Sequence, residues 1–239
     1  MELELCAGSY TSALLANQFP FKRIELCASL ESGGLTPSAG TIVKVLKEVK
    51  AECHVLIRPR SGDFNYNKEE LEVMRADIEF CKTVGCKGVV FGVLDDEQRF
   101  DLDKNLYLLD SVGEMEVTFH RAIDASANVK QDLESIINCG FQRVLTSGLA
   151  NSAVQGIETL KAIRRQTKGK LELMIGGGVN AGNIAQLKKS VQPEAIHFSA
   201  TEHKKSGEKT FFQSTLLEIS KEKIHSIFDQ IENNSILKM

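Results

Sequence analysis

The stretch Lys22–Ser38, KRIELCASLESGGLTPS, decides how this chain is read. It opens as a short apolar run of strand character and places Glu25 and Cys27 two residues apart, so both side chains share one face of the strand. Glu31, the pair Gly33-Gly34 and then Thr36-Pro37-Ser38 follow, the last a helix-start signal. A buried strand therefore ends in a carboxylate, a thiol and a glycine-rich loop that feeds a helix. Folding alone does not demand that chemistry at a strand end, and later strands end in comparable polar clusters.

Outward from this stretch, apolar β-rich runs recur at intervals of roughly 20–35 residues, each followed by a helical pattern, as in consecutive βα units. The expected strands are Glu2–Cys6, Arg23–Cys27, His54–Arg58, Gly88–Val93, Glu116–His120, Gln142–Thr146, Leu171–Ile175 and Ala195–Phe198. The helices between them fall near Thr11–Asn17, Ala39–Val49, Lys68–Val84, Asp103–Ser111, Val129–Cys139, Ala153–Gln166 and Ala181–Lys189. Residues 201–219 read as one long polar loop, uncommon in a compact domain, and 220–233 as a C-terminal helix opened by Ser220. Eight such units in 239 residues predict an α/β fold, a single-domain TIM (β/α)8 barrel over residues 1–239. The rival, a doubly wound sheet, would carry a GxGxxG turn after its first strand. Here that turn is Ala7-Gly8-Ser9.

Composition excludes several classes. The net charge of −3 and the lack of a long Lys/Arg block argue against a nucleic-acid or membrane surface. No apolar run approaches the ~18–20 residues of a membrane helix, and the N-terminus lacks a signal-peptide layout. The expectation is a soluble, cytoplasmic protein. Its six cysteines, with no CxxC pair, read as free thiols. HExxH, P-loop and Ser–His–Asp patterns are missing. Barrels of this kind pair through outer helices, so a homo-oligomer is compatible with the sequence, although no apolar stripe marks an interface.

Working residues of such barrels lie at the C-terminal strand ends. Cys6 and Cys27, ending adjacent strands, are candidates for a side-by-side thiol pair at the mouth, suited to a soft ion such as Cu(I). The alternative is that each is a small buried hydrophobe; Cys53, Cys81, Cys86 and Cys139 read that way. Arg58 and Arg60, alternating about Pro59, offer a clamp for a carboxylate or phosphate, or else Arg58 pairs with inward Glu4 or Glu25. His120 is a candidate acid–base group with Asp124 placed to orient it, or scaffold. Gly177, Gly178 and Ser199 are candidates for an anion cradle, or for tight turns.

RIELC…GGLTPS at Arg23–Ser38, IRPRSGDFNY at Ile57–Tyr66, VTFHRAID at Val117–Asp124, RVLTSG at Arg143–Gly148, GGGV at Gly176–Val179 and HFSA at His197–Ala200 resemble the CutC family of proposed copper-homeostasis proteins. The resemblance spans about Met1–Ala200. It implies a TIM barrel, cytoplasmic Cu(I) binding and a part in copper tolerance, and the cysteines proposed for the metal fall on Cys6 and Cys27. The chain departs from the family pattern at Ala28-Ser29 and at Ser61, near the mouth but away from the thiols. Two thiols leave Arg58, Arg60, Asp63, His120 and Arg121 unexplained. The alternative is therefore a lyase or isomerase acting on a small phosphorylated or carboxylated metabolite.

Overall fold

Eight runs of four to six residues are buried along nearly their whole length, as strands are when both faces of a parallel sheet are covered. They are β1 (Glu2–Ala7), β2 (Arg23–Leu26), β3 (Glu52–Leu56), β4 (Gly88–Phe91), β5 (Glu116–Phe119), β6 (Arg143–Thr146), β7 (Glu172–Ile175) and β8 (Ala195–Phe198). All pair in parallel in chain order, and β8 returns to β1, closing a TIM barrel. The computed structural model describes residues 1–205 and 215–236. Among these, no helix is long and apolar enough to cross a membrane.

The helices that cover the barrel are α1 (Tyr10–Leu15), α2 (Ala39–Glu48), α3 (Lys68–Val84), α4 (Leu102–Leu109), α5 (Val129–Asn138), α6 (Ile157–Thr167), α7 (Ile184–Val191) and α8 (Lys221–Ile236). Local chemistry fixes several ends. Asn67 and Glu70 form a reciprocal capping box at the start of α3, and Gly85, at φ 86°, ends it. Between these ends, Leu71, Met74, Ile78 and Cys81 form the buried stripe. Ser38 caps α2 by accepting from the Thr41 N–H. Helix α6 starts later than its apolar pattern suggests, because the Ala153 N–H is held by the Gly177 carbonyl at 2.9 Å in a preceding turn.

The polar stretch after β8 differs from expectation. Instead of one loop over 201–219, β9 (Thr201–Lys205) and β10 (Thr215–Ile219) pair antiparallel, Thr201 opposite Ile219. The intervening residues 206–214 lie outside the described residues. Neither five-residue run alternates strongly enough to announce a strand; each satisfies its backbone groups on a partner at least ten residues away. Ser220 heads α8, but its hydroxyl donates to Glu222 (2.9 Å).

The barrel interior is unusually polar in its N-terminal half. Arg23 donates to Glu4 (3.1 Å), to Glu172 (2.9 Å) and to Glu2. Arg143 pairs with Glu172 (2.9 Å) and Glu116 (3.0 Å) and donates to Thr118 (3.0 Å). Buried charges are tolerable only when paired in this way. The network is a floor on which the C-terminal half of the barrel, the mouth, is assembled.

Candidate metal centre at the barrel mouth

Strand register brings the first group together. Cys6 lies opposite Glu25 across β1 and β2, while Glu4 lies opposite both Arg23 of β2 and His197 of β8. Side chains two apart share a face, so Glu4, Cys6, Glu25, Cys27 and His197 all turn inward. The Cys6 and Cys27 sulfurs are 3.9 Å apart. The Cys6 thiol also approaches Glu25 Oε2 at 3.5 Å, and the Cys27 thiol approaches the Ala7 carbonyl at 3.7 Å. His197 presents Nδ1 to Glu4 Oε1 at 2.8 Å and Nε2 to Glu25 Oε2 at 3.6 Å. One donor atom each from Cys6, Glu25 and His197 lie within 4.8 Å of one another.

The electrostatics follow from burial and neighbours. Burial alone would raise the Glu4 carboxyl, but the hydrogen bond and charge of His197, with His54 and Arg23, outweigh it and bring the group down to about 2. Burial pushes the Glu25 carboxyl up, with the Glu4 charge adding to it. His197 is raised: burial opposes the charged form, yet the Glu25 and Glu4 carboxylates prevail. The Cys6 thiol is pushed well up, first by its contact with Cys27 and then by burial and Glu25. The group thus places an imidazole, its charged form favoured by two carboxyl groups, on the Glu4 carboxylate beside two close sulfurs. A cation entering here displaces protons and finds thiol, imidazole and carboxylate donors.

In the sequence Cys6 and Cys27 stand out as strand-end thiols and Glu4 and Glu25 as inward carboxylates, whereas nothing local marks His197 as their neighbour. The signal was available: in a closed barrel β8 neighbours β1, so an inward His on strand eight must face the inward residues of strand one.

The other candidate residues separate. Arg58 pairs with neither Glu4 nor Glu25, which Arg23 and His197 occupy. It donates instead to the Ser32 (3.1 Å), Gly34 (3.0 Å) and Gly62 (2.8 Å) carbonyls, tying the β2–α2 loop to its own. Arg60 turns away to Glu70 (2.5 Å) and Asp63 (3.0 Å), so the two guanidiniums do not form a joint clamp. Asp124 does not hydrogen-bond His120. Its carboxylate accepts from Thr146 Oγ1 (2.5 Å), the Ser147 and Leu149 N–H groups (both 3.1 Å to Oδ1) and Arg121 (2.8 Å), anchoring the β6–α6 loop. His120 Nδ1 accepts from the Ala122 N–H at 3.3 Å. Burial, reinforced by the Arg58 charge, lowers the imidazole to about 3, so it is neutral.

Gly177 and Gly178 both adopt left-handed backbone, φ 95° and 72°. A Cβ on Gly177 would meet Ser147 at 3.0 Å and the Arg121 guanidinium carbon at 3.7 Å. The Gly178 carbonyl takes the Asn180 (3.0 Å) and Asn183 (2.9 Å) amides. Ser199 is half-buried, 3.3 Å from Thr201 Oγ1. All six cysteines are free thiols, with Cys53, Cys81 and Cys86 in the hydrophobic core.

Known proteins share this fold and much of this sequence. The CutC family model matches residues 1–202. A CutC family protein of Xylella fastidiosa is 46% identical over 198 residues, 83% of this chain and 74% of the relative. One from Glaesserella parasuis is 37% identical over 238 residues, spanning 100% of this chain and 98% of the relative. A solved structure described as a proposed copper homeostasis protein CutC, from Streptococcus agalactiae, superposes with a TM-score of 0.79 at 30% identity. It covers 82% of this chain and 97% of its own. With its barrel closed and residues 1–202 matched by the family model, the chain belongs to the CutC family.

Proposed function

We propose that this protein binds Cu(I) at the barrel mouth through Cys6 and Cys27 and serves copper homeostasis in the cytoplasm. The observation that carries the reading is the 3.9 Å approach of two sulfurs from adjacent strands, with the His197 imidazole on the same face. Cu(I) is soft and accepts two or three ligands, so two thiolates and an imidazole nitrogen suit it better than they suit a hard, oxygen-seeking ion. The Glu4–His197 hydrogen bond has the form of a carboxylate that orients a ligating histidine and raises its basicity. Glu25 sits against Cys6 and His197 and offers a carboxyl oxygen to an incoming cation.

The test is a Cu(I) titration against a competing chromogenic chelator under anaerobic, reducing conditions. Wild type should bind one ion tightly, and Cys6→Ser/Cys27→Ser should lose that site. Binding unchanged in the double variant would sink the proposal.

A further inference from the structure

Arg58 is only 6% exposed, yet among the described residues no carboxylate comes within salt-bridge distance of its guanidinium. Asp63, the acidic residue of its own loop, is engaged by Arg60. The Arg58 terminal nitrogens are held by three carbonyls, but its Nε–H has no acceptor. A buried charge without a counter-charge is the exception in folded proteins, and so is a buried donor without an acceptor.

Two further orphans share this corner of the mouth. His120 is also 6% exposed; because its Nδ1 accepts from Ala122, its proton sits on Nε2, which has no partner. The Tyr66 hydroxyl, on a side chain 1% exposed, lies against the Arg58 guanidinium but completes no hydrogen bond of normal geometry with it or with any other group. One ring gathers the two nitrogen donors. The Phe64 phenyl carries the Arg58 guanidinium over its face at 5.1 Å and the His120 imidazole edge-on at 4.8 Å. Tyr66 lies close enough to Arg58 to feel its charge, and burial holds its hydroxyl protonated, up to about 12.

We propose that Arg58 Nε, His120 Nε2 and Tyr66 Oη form a binding site for a small oxyanion, a carboxylate or phosphate group, beside the thiol pair. Each group is a donor, one is cationic, and an oxyanion supplies both the acceptors and the missing charge. The site abuts the cysteines. The Gly34 carbonyl that Arg58 holds belongs to a residue whose Cβ position lies 3.8 Å from the Cys27 sulfur.

The experiment is a titration with inorganic phosphate and, separately, with acetate, each at ionic strength held constant with chloride. The His120 ring 15N resonances and the melting temperature are read together. The expected result is a saturable shift of the Nε2 resonance and a rise in melting temperature with at least one of the two anions; which one responds distinguishes phosphate from carboxylate. In His120→Asn, which keeps an acceptor for the Ala122 N–H but removes the Nε2 donor, the anion affinity should fall at least ~10-fold, the worth of one hydrogen bond to a charged group. Tyr66→Phe should keep anion-free stability while also weakening the anion, a combination that a purely structural role would not give. Cys6→Ser/Cys27→Ser should bind the anion as wild type does, which separates this site from the copper reading. No saturable response to either anion, or equal affinity in both His120→Asn and Tyr66→Phe, overturns the proposal.

Discussion

His197 Nδ1 lies 2.8 Å from Glu4 Oε1, a contact that joins the last barrel strand to the first and aims the opposite nitrogen at Cys6 and Glu25. The same carboxylate takes Arg23 from the network below at 3.1 Å. One residue therefore couples the ionic floor of the barrel to the candidate metal centre.

Glu4→Gln should act on both. Loss of an orienting carboxylate behind a ligating histidine typically weakens a metal ~10–100-fold, so the chelator competition should show a weaker Cu(I) site of unchanged stoichiometry. Removing one partner of a buried ion pair costs about 3–5 kcal/mol, which urea unfolding should register. Undiminished copper affinity would mean that His197 is not a ligand.

Stability should bend with pH in two windows. Glu4 falls from 4.5 to about 2 on folding, so its contribution is full above 4.5 and is lost as pH drops toward 2. His197 is raised above 6.5, so its contribution is full below 6.5 and is lost as pH rises through the folded value. Melting temperatures across pH 2–9 should therefore decline on both flanks, and His197→Asn should remove the decline on the alkaline side.

Copper uptake should release protons. The Cys6 thiol is held well up by Cys27 and by burial, so Cu(I) must displace its proton at neutral pH. Apparent affinity should rise with pH by up to ~10-fold per unit for each proton displaced. Chelator competition at several pH values reads the slope, and a flat profile would contradict thiolate ligation by Cys6.

Gly34 adopts φ 88°, and a Cβ there would stand 2.7 Å from Leu56 Cδ2 and 3.7 Å from Cys27 Cβ. Gly34→Ala should destabilise the protein by about 1–3 kcal/mol through backbone strain and the clash. It should also disturb the Cys27 side of the thiol pair, read as weaker copper binding in the surviving fold.

Asp124→Asn tests a structural assignment. The carboxylate accepts from Thr146, two backbone N–H groups and Arg121, and an amide cannot accept all of them. A loss of about 1–3 kcal/mol in stability is expected with Cu(I) affinity unchanged. A large drop in copper binding would instead tie the β6–α6 loop to the metal.

The sequence by itself determined the eight βα units and the inward register of Glu4, Cys6, Glu25 and Cys27. Strand periodicity of two and helix caps such as Asn67 and Ser38 are local properties of the chain. The nearness of Cys6 to Cys27 followed as well, because consecutive parallel strands are neighbours. What only the tertiary structure decided is which partner each buried charge takes. Arg23 and Arg143, rather than Arg58, neutralise the interior carboxylates, and Arg58 is left to backbone carbonyls, because barrel closure and stagger set which side chains share a layer. His197 meets Glu4 across 193 residues for the same reason. The pairing of β9 with β10 is likewise an interaction between distant runs, neither of which is a strand on its own terms.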